Sequence, residues 1–387
     1  MAPTNHALLG ASKAHQWMEC PPSARWELEF EAPPTSEAAA EGTLAHAIAE
    51  DHLGKRIAGK AWRSTPKKFR TDPLYRPAME EHVATYCDVI METLTELRQT
   101  GDPAIYLEQK LDLTPWIPEG FGTADCILIG DGVLHVFDFK YGKGIPVEAE
   151  ENPQLKLYAL GAMEEFGCLY EIRDVVLHII QPRLESVTEW SVSAEILRKW
   201  GEFVVKPVAQ KAYNGEGEFH PGESQCRWCL CKNRCRAYDN YMLKNAQLQF
   251  TDLGEERNPN ELSDEEIAQL LGRVQELKRW CKSVEEYALD QALNHEKTFP
   301  GYMLVEGRSS RKISDEDAVI KILDENGYQM DKICELKGIT ALEDMIGKKK
   351  LNELIGDYVI KPPGKPALAP ESEDNKKPYL KFSEVKE

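Results

Sequence analysis

Apolar and polar positions alternate along Ile105–Leu113, the period of a strand with one buried face. Gly122–Ile129 and Val133–Lys140 follow as β-rich runs separated by Asp131-Gly132. An Asp-Gly pair between two such runs predicts a two-residue hairpin, because both central positions need positive φ. Gly130 then pairs with Val133, and the same register sets Asp125 opposite Asp138. Further on, Asp174–Gln181 is an apolar strand and Val187–Val192 a shorter one.

Helical patterns surround these runs. Residues 1–35 read as irregular and Pro-containing. Ser36–His52 is Ala/Glu-rich, and a second helix is expected over Pro77–Gln99. Asn152-Pro153 reads as N-cap and first helical position of a helix running to Phe166, and another helix is expected over Ala194–Tyr213. The order of helices, three strands, helix and strand describes an α/β sheet with helices packed against it. Beyond Ala246 the pattern becomes helical, with one long amphipathic helix over 263–296 opened by a capping box at Ser263–Glu266, and two or three shorter helices up to Leu354. Lys361–Glu387, rich in Pro, Lys and Glu, reads as a flexible tail. The expected division is 1–245, 246–360 and 361–387.

Composition changes this picture little. The 387 residues are 42% hydrophobic and 29% charged, ordinary for a globular protein. There is no apolar run of membrane-spanning length and no secretory signal, so a soluble, cytoplasmic protein is expected. The net charge of −18 argues at first against a nucleic-acid partner, which normally meets Lys/Arg patches.

The candidate chemistry lies on the central hairpin. Two carboxylates directly opposite on one face have Cβ atoms about 5 Å apart. They stay ionised together only with a cation between them. Lys140 projects from the same face as Asp138 and reaches a water or phosphoryl oxygen near such a cation. A surface salt-bridge ladder is the bland alternative, weakened by the apolar neighbours Ile127, Ile129, Leu134, Val136 and Phe137. Gln154 and Tyr158 share one helix face, as do His46 and Glu50. Taken singly, these four read more simply as surface or core-edge residues. Of ten cysteines, Cys226, Cys229, Cys231 and Cys235 lie within ten residues, a cluster that reads as metal or iron–sulfur ligation rather than as a disulfide scaffold.

Read in order, Gly42-Thr-Leu-Ala-His46, Glu108, Gly122-Thr-Ala-Asp125, Asp138-Phe-Lys140 and Gln154-x-x-x-Tyr158 resemble the RecB-like branch of the PD-(D/E)XK nucleases. The resemblance covers residues 10–240 and is nearest to the CRISPR-associated iron–sulfur exonucleases, the AddB nuclease domain and a phage and prophage family. It implies a restriction-endonuclease-like core, a mixed central sheet flanked by helices, with a mainly helical C-terminal region. It also implies Mg²⁺ or Mn²⁺ held by His46, Asp125, Asp138 and the Phe139 carbonyl. Lys140, Gln154 and Tyr158 would act on the nucleophile or the strand, with Glu108 behind the ligands. Cys226, Cys229 and Cys235 match the C-terminal cysteine triplet of the iron–sulfur members, and Cys20 takes the place of their distant fourth ligand, implying a [4Fe–4S] cluster. The function implied is metal-dependent DNA hydrolysis, most simply by an exonuclease, in phage or mobile-element replication or recombination. The partners implied are DNA and a recombination or replication protein.

Two other readings stay open. One is a non-catalytic module that keeps the fold to bind DNA or protein, which the −18 charge favours. The other is a structural protein with zinc on the local cysteines, although C-x-C-x3-C is poor spacing for a zinc knuckle. The role of Cys231 is open between these. Cys87, Cys126, Cys168, Cys281 and Cys334 read as core or incidental residues.

Overall fold

A computed structural model describes residues 7–32, 34–62, 64–142, 144–251, 264–302, 342–343 and 347–355. The chain divides into two units, Met1–Tyr241 with Asp315–Lys348, and Met242–Ser314 with Lys349–Glu387. The sheet and both candidate sites belong to the first unit.

Two six-residue helices, α1 (Ala14–Glu19) and α2 (Pro21–Trp26), replace the irregular N-terminus expected from the prolines. Pro21 and Pro22 fall in the first turn of α2, where a missing N–H costs nothing. Burial of Leu9, Ala14 and Trp17 holds the segment on the main core. Ser36 caps α3 (Glu37–Ile57) by accepting from the Ala39 N–H at 3.2 Å. The short α4 (Lys67–Arg70) and the long α5 (Ala78–Thr100) follow.

Five strands form one mixed sheet in the order β1 (Ala104–Asp112), β2 (Phe121–Gly130), β3 (Val133–Phe139), β4 (Asp174–Gln181), β5 (Ser186–Ser193). Asp131 (φ 53°) and Gly132 (φ 78°) make the expected turn with both central residues at positive φ. Its register runs from Gly130↔Val133 to Cys126↔Phe137 and stops there, one pair short of Asp125 and Asp138. α6 (Pro153–Phe166), capped by Asn152 Oδ1 accepting from Leu155 N–H at 3.2 Å, carries the chain from β3 to its parallel neighbour β4.

One core lies between the sheet and α6, with Leu134, Val136, Leu155 and Leu177. The other lies between the sheet and α3 and α5, with Ile48, Val83, Ile90, Phe137 and Phe139. The helix expected over Ala194–Tyr213 is instead α7 (Ala194–Trp200), a π turn at Gly201–Val205, and α8 (Lys206–Asn214). Pro207 has no N–H for the regular ladder, and the wider turn absorbs the loss.

After α9 (Glu223–Arg227) and α10 (Arg236–Thr251), α11 (Asp264–Asn294) is the long helix read from the sequence. α12 (Lys348–Ile355) lies where short helices were expected. Ser263 of the capping box, the other short helices and the tail from Lys361 lie outside the described residues. Among the described residues no helix is long and apolar enough to cross a membrane.

His135 of β3 and His178 of β4 meet inside the sheet, Nδ1 to Nε2 at 3.1 Å. One ring must donate and the other accept, so the two cannot both be protonated. Burial holds His135 down to about 4, and burial followed by His135 holds His178 at about 3. Glu189, 3.8 Å from His178 but 71% exposed, does not offset this. Both groups have folded pKa values below an unfolded value of about 6.5. Their contribution is therefore present above pH about 6.5 and lost as pH falls toward the folded values, at roughly 3 kcal/mol per histidine. Denaturant titrations should show the midpoint falling from pH about 6.5 to about 4, and replacing both histidines by Phe should flatten that limb. An equally steep limb in the double variant would place the acid sensitivity elsewhere.

Candidate functional site

The site is built where the alternation of β1 and β2 changes hand. Leu107 and Cys126 pair across the ladder and face the α3/α5 core. Strict alternation would keep Leu111 and Ala124 on that side, yet both lie in the α6-side core. Between the flanking pairs Leu107↔Cys126 and Gln109↔Ala124 stand Glu108 and Asp125, outside the ladder, with Glu108 at φ 45°. A non-glycine residue in left-handed conformation costs on the order of 1–3 kcal/mol and persists where the surroundings impose it. Here it turns two acidic side chains toward the same point.

His46 arrives there from α3, its Nδ1 3.4 Å from Asp125 Oδ1. Ligand atoms of His46, Glu108 and Asp125 all lie within 4.8 Å of one another. The other oxygen of Asp125 accepts the Phe139 backbone N–H at 2.7 Å. Phe139 thus enters through its N–H, and this bond stands where pairing of Asp125 with Asp138 was expected.

Asp138 is 4% exposed and sits at the end of a side-chain chain that continues onto α6. Lys140 Nζ donates to Asp138 Oδ1 at 3.2 Å and to Gln154 Oε1 at 2.9 Å. Gln154 Nε2 in turn donates to Asp138 Oδ1 at 3.1 Å and faces the Tyr158 hydroxyl at 3.3 Å. Asp138 Oδ2 lies 2.8 Å from the ammonium yet makes no hydrogen bond. A buried carboxylate oxygen without a hydrogen bond is costly, and the Lys140 ammonium beside it offsets that cost. Gly122 makes room for the Tyr158 ring, since a Cβ there would stand 2.6 Å from Tyr158 Cε1.

The electrostatics fit a site built for positive charge. Burial, then Asp125, pushes Glu108 up to about 7. Burial raises Asp138 against the opposing pull of Lys140. Burial acts to lower Lys140, but Asp138 outweighs it and holds the ammonium charged. His46 is likewise desolvated, yet its bond to Asp125 and the surrounding carboxylates raise it. Oxygen donors with one imidazole suit a hard divalent ion of the Mg²⁺ or Mn²⁺ kind. His46, Glu108 and Asp125 surround the candidate position, with Asp138 beside them through the Asp125–Phe139 link. Glu108, read from the sequence as standing behind the ligands, is thus within the ligand group. A lone Glu in an alternating strand carries no signal of that role, because the left-handed turn that aims it has no glycine to mark it.

The cysteines form a second centre. Cys20, at the junction of α1 and α2, lines one pocket with Cys226, Cys229, Cys231 and Cys235. The Gly222 N–H points at Cys226 Sγ (3.4 Å) and the Tyr238 N–H at Cys235 Sγ (3.5 Å), while burial pushes the Cys226 thiol up to about 12. Hydrogen bonds from the Cys231 side chain and backbone lower Cys229, while the same pairing raises Cys231. All five cysteines line this one pocket, and Cys20, Cys226, Cys229 and Cys235 are the four that the sequence resemblance implies as ligands. Around one tetrahedral zinc, with bonds of about 2.3 Å, sulfurs lie about 3.8 Å apart. Among the described residues no three cysteine sulfurs gather within 4.8 Å of one another.

Glu27 ties this centre to the N-terminus, an arrangement with no sequence signature. It accepts from Leu230 N–H (2.8 Å) and Gln16 Nε2 (2.9 Å), and pairs with Lys13 at 2.6 Å.

A solved structure described as "Crystal structure of SSO0001" is similar at 14% identity, over 62% of this chain and 89% of its own, with a TM-score of 0.27. That likeness is too low to carry an argument. The model of the family described as "Protein of unknown function (DUF2800)" matches residues 6–377, and the chain belongs to that family.

Proposed function

We propose that the protein is a divalent-metal-dependent nuclease of the PD-(D/E)XK type, hydrolysing phosphodiester bonds in DNA, with an iron–sulfur cluster on Cys20, Cys226, Cys229 and Cys235. The observation that carries the reading is the continuous set His46, Glu108, Asp125, Asp138, Lys140, Gln154 and Tyr158. His46, Glu108 and Asp125 surround one point, and Asp138, outside that group, holds the single ammonium charged.

A bound divalent ion would polarise the scissile phosphate and lower the pKa of a water beside it. Asp125 is fixed for that task because Phe139 N–H holds one of its oxygens and leaves the other toward His46. Lys140, locked between Asp138 and Gln154, offers positive charge where the pentavalent phosphorus gathers negative charge. Gln154 and Tyr158 present an amide and a hydroxyl in a row for the water or the strand. Water oxygen gives up a proton and bonds to phosphorus, the P–O bond to the leaving sugar breaks, and that sugar oxygen takes up a proton.

Two ordered carboxylates and a charged lysine also favour catalysis over a purely binding module, which has no need to bury Asp138 against Lys140. Anaerobically purified full-length protein, given Mn²⁺ and end-labelled single- or double-stranded DNA, should release shortened products. Asp125→Ala should not. Equal product from both proteins, or none from wild type with either Mg²⁺ or Mn²⁺, would overturn the assignment.

A further inference from the structure

A groove of about 450 Å³ runs along the outer face of α3 beyond the carboxylate centre. Glu50 lines both this groove and the pocket formed by His46, Glu108 and Asp125, so the two adjoin at that residue. Past Glu50 the lining turns basic, with Lys55, Lys60 and Lys68, and Phe69 at the far end. In a chain of net charge −18 this is an unusual concentration. Its two acids are both accounted for. Asp51 is paired with Lys55 at 2.7 Å, and Glu50 faces the cation pocket. Lys60 and Lys68 are exposed and make no ion pair among the described residues. Lys68 Nζ stands 4.4 Å over one face of the Phe69 ring, which is partly buried against the α3/α5 core. The small residues Ala47, Gly54 and Ala58 leave the floor of the groove low.

We propose that this groove is the track of a single strand of nucleic acid, with Lys55, Lys60 and Lys68 meeting successive phosphates and a base stacking at Phe69. The proposal rests on the nuclease reading for its direction, toward or away from the carboxylate centre. Its binding chemistry stands independently. Ammonium groups in a row beside an aromatic ring are what a flexible polyphosphate with stacking bases recognises. An acidic peptide would satisfy the lysines and leave the ring unused. Lys55 is tethered to Asp51, so the two free lysines, Lys60 and Lys68, carry most of the expected affinity.

The test uses full-length protein in EDTA, where binding is read without cleavage, and fluorescein-labelled oligothymidylates from about two to about twelve nucleotides. Affinity should rise with strand length and level off once the strand fills the groove. Lys60→Ala/Lys68→Ala should weaken binding of the longer strands about 10-fold or more. It should also lower the slope of log affinity against log salt by about 1.4, at roughly 0.7 per lost phosphate contact. Lys199→Ala/Lys211→Ala, two exposed lysines on α7 and α8, controls for loss of general charge and should change affinity less than about 2-fold. Equal weakening by the two pairs, unchanged binding in the groove pair, or no binding by wild type would each overturn the groove. Failure of the nuclease reading looks different: wild type binds, the groove variant does not, and no cleavage follows on adding Mn²⁺.

Discussion

Lys140→Met should lower the cleavage rate by about 10²–10³-fold, roughly 3–4 kcal/mol of transition-state stabilisation, with a much smaller change in KM. The size follows from two losses at one atom. The ammonium that would meet charge developing on the phosphate is gone. Asp138 also loses the cation that offsets its burial. With burial unopposed, its carboxyl holds a proton to higher pH and ceases to serve a divalent ion as an anion. The acid limb of the pH–rate profile should therefore move to higher pH in Lys140→Met, which a purely structural role for Lys140 would not produce.

Stability should follow a different pattern. Removing one partner of a buried pair leaves the other uncompensated, whereas removing both is far milder. Asp138→Asn/Lys140→Met should thus melt above Lys140→Met while remaining inactive. Activity within about 3-fold of wild type in Lys140→Met at saturating Mn²⁺ would remove this lysine from the chemistry.

Much of this site was legible because its parts sit on elements with strong local signals. Asp131-Gly132 specifies a turn that few other dipeptides can make, and it fixed the register that puts Asp138 beside the end of β2. Asn152-Pro153 fixed the start of α6, and hence the common face of Gln154 and Tyr158.

The illegible parts are those where tertiary packing overrides a local rule. Period-2 alternation predicts one face for each parity along a strand. The left-handed Glu108 breaks it in β1 at the same level as Asp125 in β2. The cation pocket thus lies between the two cores and draws His46 from the helix on one side, while Asp138 and Lys140 meet α6 on the other. The N-terminal helices were missed for a similar reason. Six-residue helices have almost no intrinsic stability, and only the burial of Trp17 and its neighbours makes them form. The lysine groove was invisible because Lys55, Lys60 and Lys68 are separated in sequence and become a row only when α3 and α4 come together. An overall charge of −18 therefore does not exclude a locally basic surface beside an acidic centre.

Cys20→Ser should produce the largest loss of stability of any single cysteine change, up to about 5 kcal/mol, through its position rather than its packing. The other three candidate ligands lie within ten residues and close only a short loop. Cys20 lies about 200 residues upstream, and the entropy of loop closure grows with the logarithm of length. A link closing a loop of that size constrains the unfolded chain by about 5 kcal/mol on the cross-link scale, against about 3 kcal/mol for a loop of about 15 residues. The loss should also reach the carboxylate centre. Leu9, Ala14 and Trp17 share a core with Leu155, Leu157 and Tyr158 of α6, so loosening the N-terminal helices loosens the helix that holds Gln154. Glu27 still bonds to Leu230 and partly holds the ends together, which keeps the variant foldable at low temperature and its melting point measurable. Cys231→Ser separates ligation from packing. Cys231 is 1% exposed, so a volume or polarity effect would destabilise it as well, but as a hydrogen-bond donor to Cys229 it should leave iron content and visible colour intact. If Cys20→Ser keeps its iron and its melting temperature while Cys231→Ser loses both, the fourth ligand is local and the long staple does not exist. If wild type purified without oxygen is colourless and carries zinc, the centre is a local zinc site and the N-terminal helices are held by packing and Glu27 alone.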